Sequence, residues 1–140
     1  MNILLLNGPN LNLLGEREPE IYGKTTLAEL EQMVQTRAQE LGHALRAFQS
    51  NHEGALIDKL HEFRRWANGV IFNPGAFTHY SYALRDAIAS TKLRVVEVHL
   101  TDIARREVWR RVSVIEEVCA HRVVGKGTAG YLEALEWLVR

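Results

Sequence analysis

Short apolar runs alternate with longer amphipathic stretches from one end of the chain to the other. Ile3-Leu4-Leu5-Leu6 contains no polar position, as a strand buried on both faces requires. Thr26-Leu27-Ala28-Glu29 has the spacing of a capping box, in which the Thr hydroxyl and the Glu carboxylate close a helix N-terminus. The helix it opens is predicted to run to about Leu41 and to stop at Gly42. A second strand is predicted over 44–49. It is followed by a helix with the apolar stripe Ala55, Leu56, Leu60, Phe63 and Ala67, ending at Asn68-Gly69. Val70-Ile71-Phe72 predicts a third strand with its helix over 80–91, and 95–99 a fourth strand. Residues 105–111 read as a short basic helical piece, 122–124 as a fifth strand and 131–139 as the closing helix.

Five such βα units form a parallel sheet covered by helices on both faces, and residues 1–140 suffice for a single domain with a real core. Right-handed crossovers in a chain of this length favour the flavodoxin-like strand order 2-1-3-4-5, an α/β fold with its topological switch point between strands one and three. Each of the first four strands runs into a polar cluster at its C-terminal end. These are Asn7-Gly8-Pro9-Asn10-Leu11-Asn12, Gln49-Ser50-Asn51-His52, Asn73-Pro74-Gly75 and Glu97-Val98-His99-Leu100-Thr101. Since all four ends lie along one sheet edge, the clusters are expected to meet in a single cleft, with Asn10 and Asn73 flanking the switch point and His99 one strand further along.

Glu97 and His99 are two apart and therefore share a strand face, where a central parallel strand is normally apolar. A carboxylate there can fix an imidazole's tautomer and favour its protonated form. A satisfied buried ion pair fits the same two residues equally well. The loop Gly15-Glu16-Arg17-Glu18-Pro19-Glu20-Ile21-Tyr22-Gly23 is long, charged and bracketed by glycines, as a lid over the cleft would be. At pH 7 a free tyrosine is ionised in about one molecule in a thousand. A guanidinium about 4 Å away, at an effective dielectric near 20, stabilises a phenolate by roughly 4 kcal/mol, so a tyrosinate base helped by Arg17 is physically reasonable. Read by themselves, a solvated Arg17 and a Tyr22 that packs the loop down are the default. His79, at the start of the helix after strand three, is a cap-region residue or a ligand for a polyol or carboxylate. Asp86, deeper in that helix, reads as a solvated charge. Arg105, Arg106, Arg110 and Arg111 are either a clamp for an anionic substrate or a basic surface.

Composition narrows the classes. Formal net charge is zero, so nothing suggests a general attraction to nucleic acid or to an anionic membrane. No apolar run is long enough to span a bilayer, and the N-terminus lacks a signal-peptide pattern, so a cytoplasmic protein is expected. The single cysteine, Cys119 in an apolar setting, reads as a small core residue and excludes an internal disulfide. The six histidines are scattered without metal-ligand spacing, and no P-loop is present. Gly125-x-Gly127-x-x-Gly130 follows the last strand, where a dinucleotide fingerprint has no use, and is expected to serve close packing.

Five motifs together resemble the type II 3-dehydroquinate dehydratases: Asn7-Gly8-Pro9-Asn10-Leu11-Asn12; Arg17-Glu18-Pro19 with Tyr22-Gly23; Gln49-Ser50-Asn51-His52-Glu53-Gly54; Asn73-Pro74-Gly75-Ala76 with Thr78-His79; and Glu97-Val98-His99-Leu100. The resemblance spans nearly the whole chain. It implies a flavodoxin-like fold, no metal or organic cofactor, and reversible anti elimination of water from 3-dehydroquinate through an enolate, without a Schiff base, in the shikimate or quinate pathway. By the same resemblance Tyr22 is the base, Arg17 keeps it ionised, His99 is the acid and Glu97 orients it. Asn10 holds a water against the enolate oxygen, and Asn73 and His79 bind substrate hydroxyls. The amides of Leu100 and Thr101 receive the carboxylate, with Arg110 and Arg106 as the clamp. It further implies a dodecamer of trimers in which Asp86 reaches a neighbouring site.

The chain departs from the family pattern at Phe77, usually Tyr, and Tyr80, usually Thr. Thr101-Asp102-Ile103-Ala104-Arg105-Arg106-Glu107 stands where Ser-Asn-Ile-His-Ala-Arg-Glu is usual. Asp102 puts a negative charge near the carboxylate turn that Arg105 can offset, so activity is expected with an altered KM. Two other readings stand beside this one. The first is a non-catalytic flavodoxin-like module for a small anion or flavin. The second is a family member moved to a related cyclic hydroxy acid.

Overall fold

A computed structural model describes residues 1–140. Five strands, β1 (Asn2–Asn7), β2 (Ala44–Gln49), β3 (Gly69–Asn73), β4 (Val95–His99) and β5 (His121–Val124), form one parallel sheet in the order β2-β1-β3-β4-β5. This is the flavodoxin-like order expected from the pattern. The helices are α1 (Pro19–Tyr22), a single turn, then α2 (Leu27–Glu40), α3 (Glu53–Phe63), α4 (Tyr82–Thr91) and α5 (Ala129–Val139).

Strand alternation divides the core in two. Ile3, Leu5, Ile71, Val96 and Val98 pack against α2 and α5 on one side of the sheet. Leu4, Leu6, Val70, Phe72 and Val95 pack against α3 and α4 on the other. Each fully buried Leu, Ile, Val or Phe contributes about 1.5–3 kcal/mol, which is why the middle of β1 and most of β3 are wholly apolar. The capping box at α2 is made, with Glu29 N–H donating to Thr26 Oγ1 at 3.2 Å and Thr26 N–H to Glu29 Oε1 at 3.3 Å. No helix is long and apolar enough to cross a membrane.

The boundaries differ from the predicted ones where polar residues continue a ladder or a cap. β3 gains Gly69 and Asn73 because they pair with Ile3 and Asn7 of β1. The helix predicted over 80–91 is preceded by a 3-10 turn, Gly75–His79, and begins at Tyr82, since Ser81 caps it by accepting from Leu84 N–H at 3.0 Å. The basic piece is two 3-10 turns, Ile103–Arg105 and Val108–Arg111. Gly8 and Gly75 let the β1 and β3 loops touch: a Cβ on Gly8 would lie 2.5 Å from the Pro74 carbonyl oxygen, and Gly75 has φ +60.

Candidate active site

At the C-terminal edge of the sheet, over β1, β3 and β4, lies a cavity of about 280 Å³. Asn10, Arg17, Tyr22, Asn73, His79, His99, Leu100, Thr101, Arg106 and Arg110 all line it. Three of the four polar strand ends therefore converge as expected, and the β2 cluster does not. Gln49 Nε2 donates to the Gly8 carbonyl at 3.1 Å and to Asn51 Oδ1 at 3.0 Å, and Asn51 Oδ1 accepts from Asn10 N–H at 3.0 Å. The Gln49–His52 motif thus braces the Asn10 loop from outside, because β2 is an edge strand one position removed from the switch point. Asp86 is exposed on α4, also outside the cavity. No group of three or more His, Cys, Asp or Glu side chains is arranged to hold a metal ion.

The rear wall is built on β4. His99 Nε2 meets Glu97 Oε2 at 2.6 Å, and Glu97 is fully buried behind it. Thr78 Oγ1 also donates to Glu97 Oε2, and Ser113 Oγ lies 2.9 Å from Oε1. Arg122, opposite Glu97 in the β4–β5 register, brings its Nε within 3.8 Å of Oε1. Burial opposes ionisation of this carboxyl. The His99 hydrogen bond and charge, the Thr78 hydroxyl and the Arg122 charge outweigh it and hold Glu97 below the ordinary carboxylate range. An ionised Glu97 fixes the His99 Nε2 proton, leaving Nδ1 as the nitrogen free to work on a ligand. Thr78, Ser113 and Arg122 were not assigned to this cluster from sequence. Ser113 follows an irregular segment, and the facing of Arg122 depends on strand register.

The front of the cavity is the loop that carries α1. Arg17, expected to help keep Tyr22 ionised, has its guanidinium over the ring face, 4.5 Å from the centroid. The group on the oxygen is Arg106, expected only in the clamp, which donates from Nη1 to Tyr22 Oη at 2.6 Å. The phenol is flanked by two cations, of which only Arg106 forms a charge-assisted hydrogen bond. Glu107 orients the second arginine pair, bonding Arg110 Nε at 2.6 Å and facing Arg106 Nε at 3.8 Å.

The remaining walls are donors and acceptors of fixed sense. His79 Nδ1 lies 2.7 Å from the Val112 carbonyl and must donate to it, so Nε2 is left as an acceptor. Burial pushes His79 below its ordinary value; the Val112 bond opposes this, while the charges of His99 and Arg110 reinforce it. The imidazole is therefore neutral at pH 7. Beyond β4, Gly125 N–H donates to the His99 carbonyl at 3.2 Å and Gly127 N–H to that of Leu100 at 3.0 Å. The amides of Leu100 and Thr101 enter none of the turn or loop hydrogen bonds, so this turn offers two backbone donors to an anion. Asn73 Nδ2 donates to Tyr131 Oη at 2.8 Å, and Tyr131 Oη donates to Asn7 Oδ1 at 2.7 Å. Asn7 Nδ2 is buried without an acceptor, at a cost of about 1–3 kcal/mol. Neither Tyr131 nor Asn7 was singled out as a site residue from sequence, where Tyr131 reads only as the start of a helix.

The sequence matches the family model for class II dehydroquinase over residues 1–139. The 3-dehydroquinate dehydratase of Bacillus pumilus (strain SAFR-032) is 55% identical over 138 residues, covering 99% of this chain and 94% of its own. This chain is a class II dehydroquinase by family. Its fold agrees with the crystal structure of the type II dehydroquinase from Butyrivibrio crossotus DSM 2876 at a TM-score of 0.98 and 44% identity, over 100% of this chain and 98% of that one. Against the type II dehydroquinase from Propionibacterium acnes the TM-score is 0.94 at 38% identity, over 98% of this chain and 94% of the other.

Within this dehydroquinase fold, Thr101 is the one departure from the family pattern that lines the cavity; Phe77, Tyr80, Asp102, Ala104 and Arg105 do not. Asp102 Oδ1 accepts from Ala104 N–H at 3.1 Å, capping the 3-10 turn, and Oδ2 faces Arg105 Nε at 3.4 Å. Its charge is thus turned into the local backbone and offset by an arginine that is 87% exposed. Phe77 packs against the α3/α4 side of the core, and Tyr80 is exposed, edge-on to it at 5.9 Å.

Proposed function

We propose that the chain is a 3-dehydroquinate dehydratase, a hydro-lyase that converts 3-dehydroquinate reversibly to 3-dehydroshikimate by anti elimination through an enolate. The observation that carries this reading is the pairing, across one small cavity, of a phenol bonded to a guanidinium with an imidazole backed by a buried carboxylate. Tyr22, as phenolate, takes the ring proton beside the ketone, and the electron pair passes into the enolate. A water held by Asn10, whose side chain makes no hydrogen bond within the protein, stabilises the enolate oxygen. His99, protonated and oriented by Glu97, gives its proton to the departing hydroxyl as the carbon–oxygen bond breaks, and water leaves. Asn73 and the neutral His79 hold ring hydroxyls. Leu100 and Thr101 amides, with Arg110, hold the carboxylate. The basic side chains lining the cavity are arginines and histidines, none of which forms an imine with a ketone as a lysine amine would, in keeping with a route that avoids a Schiff base. A cavity of about 280 Å³ suits a small cyclic acid and is cramped for a flavin.

Assembly into trimers and a dodecamer belongs to the same proposal. Tyr82, Val108, Trp109 and Val112 are exposed, Trp109 lines the cavity, and Asp86 is exposed on the same helix as Tyr82, from which it would enter a neighbouring copy's site. Light scattering is expected to give twelve copies, and Asp86→Ala to lower turnover without releasing monomers. The activity is tested by mixing purified protein with 3-dehydroquinate and following the ultraviolet absorbance of the conjugated enone. A flat trace with folded, assembled protein would reject the assignment.

A further inference from the structure

We propose that Tyr131 is a positioning residue for the substrate-binding amide of Asn73, acting from behind the sheet without touching substrate. The inference rests on the reading that Asn73 binds a substrate hydroxyl. Tyr131 is fully buried in the first turn of α5 and does not line the cavity. Asn7 and Asn73 end β1 and β3 side by side and face α5, in line with Leu5 and Ile71 of the same strands. The Tyr131 hydroxyl spans the gap between them.

Its hydrogen bonds have only one consistent sense. Burial drives the phenol far above its ordinary value, so the hydroxyl keeps its proton. It accepts from Asn73 Nδ2 at 2.8 Å and must send that proton to Asn7 Oδ1 at 2.7 Å. On the other side of the Asn73 amide, Oδ1 accepts from Gly75 N–H at 3.1 Å. Turning the amide over would set its oxygen against the hydroxyl, strip Asn7 Oδ1 of its donor, and face Nδ2 with the Gly75 N–H. Two bonds lock one orientation, and the second N–H of Nδ2, which no protein acceptor claims, is what Asn73 can offer to the cavity. A phenylalanine would fill the same space and leave that amide held by the Gly75 bond alone.

The glycine run before α5 acquires a purpose here. A Cβ on Gly130 would meet Val123 Cγ1 at 3.3 Å, so glycine lets the first turn of α5 lie close against β5 and carry the Tyr131 ring under the sheet edge. The unpaired Asn7 Nδ2 agrees with this: Asn7 is retained for its carbonyl, the acceptor that orients the relay.

The test measures kcat, KM and Tm for Tyr131→Phe, Asn73→Ala and the double variant, with 3-dehydroquinate as substrate. Tyr131→Phe is expected to lower kcat/KM about tenfold, and Asn73→Ala about a hundredfold. In the double variant Tyr131→Phe should add nothing, since there is no amide left to orient. Asn7→Leu, which removes the proton acceptor and the unpaired N–H together, carries the same expectation if Tyr131→Phe is insoluble. A Tyr131 that merely packs would lower Tm, leave kcat/KM at wild type and add to other variants; that result overturns the inference. Should Asn73→Ala itself turn over like wild type, the substrate role of Asn73 fails and the inference falls with it, a result distinct from loss in Asn73→Ala alone.

Discussion

The two halves of the proposed site, one assigned the acid and the other the base, are made in opposite ways. The acid half stands on a central strand: His99 and Glu97 are buried, and Thr78, Ser113 and Arg122 come from three different segments to satisfy one carboxylate. The base half stands on a loop, where Tyr22 is held by one hydrogen bond from Arg106 and the stacked guanidinium of Arg17. The first half is assembled by folding and needs no rearrangement to act. The second is half-buried, with Tyr22 against the edge of the α2/α5 core and two arginine contacts, so opening it costs less than breaking the β4 network, as a flap that admits substrate requires. A buried hydrogen-bond network suits the proposed acid, which has to be oriented before substrate arrives. A loosely held phenol suits the group that must close on it.

The largest effects are expected where each half loses its reacting group. Tyr22→Phe and His99→Ala should each reduce kcat by about 10²–10⁴-fold, measured by enone formation. Tyr22→Phe should leave Tm unchanged, whereas His99→Ala should lower it, because only His99 belongs to the buried network.

Glu97→Gln comes next. It should reduce kcat by about 10²-fold by releasing the imidazole. Because the fold holds this carboxyl below its ordinary value of 4.5, its contribution to stability is complete above about pH 4.5 and is lost as pH falls through the folded value. Thermal unfolding followed from pH 3 to 7 should show Glu97→Gln lower at neutral pH by roughly 5 °C or more and flatter than wild type below about pH 4.5. Equal slopes in the two proteins would mean that the fold does not lower the Glu97 carboxyl.

On the flap side the two arginines can be ranked. Arg106→Gln removes a bond to the phenol oxygen, worth about 1.5–3 kcal/mol when charged, and should cost about 10–10²-fold in kcat/KM. Arg17→Gln, which loses only a stacked contact, should cost less. The reverse order would show that the flap rearranges when substrate binds. The smallest effect is expected at Cys119. Burial, with the charges of Glu97 and Glu116 against that of Arg122, pushes its thiol up to about 12. Native protein at pH 8 should resist iodoacetamide, and Cys119→Ala should turn over within about twofold of wild type.

The same contrast explains what could be read before the structure. The sheet order, the helices and the Glu97–His99 pair were legible because strand alternation and caps are local, and a charged pair on a central strand has few explanations. The partners of Glu97 were not, since Ser113 carries no periodic signal and the pairing of Arg122 depends on a register between strands more than twenty residues apart in sequence. Which part of Tyr22 Arg17 meets was not legible for a related reason. The turn of α1 stacks Arg17 on the ring face and leaves the oxygen to Arg106, far along the chain. The Gln49–His52 cluster was expected in the cleft on strand-end logic alone, and its edge position assigned it to bracing.

The most direct test separates the two halves in one experiment: proton–deuterium exchange at the carbon beside the ketone of 3-dehydroquinate, followed by NMR in deuterated water. With the phenol as base and the imidazole as acid, His99→Ala should still exchange that ring proton while forming little product, and Tyr22→Phe should do neither. Exchange at the wild-type rate in Tyr22→Phe would contradict the division of labour between flap and strand.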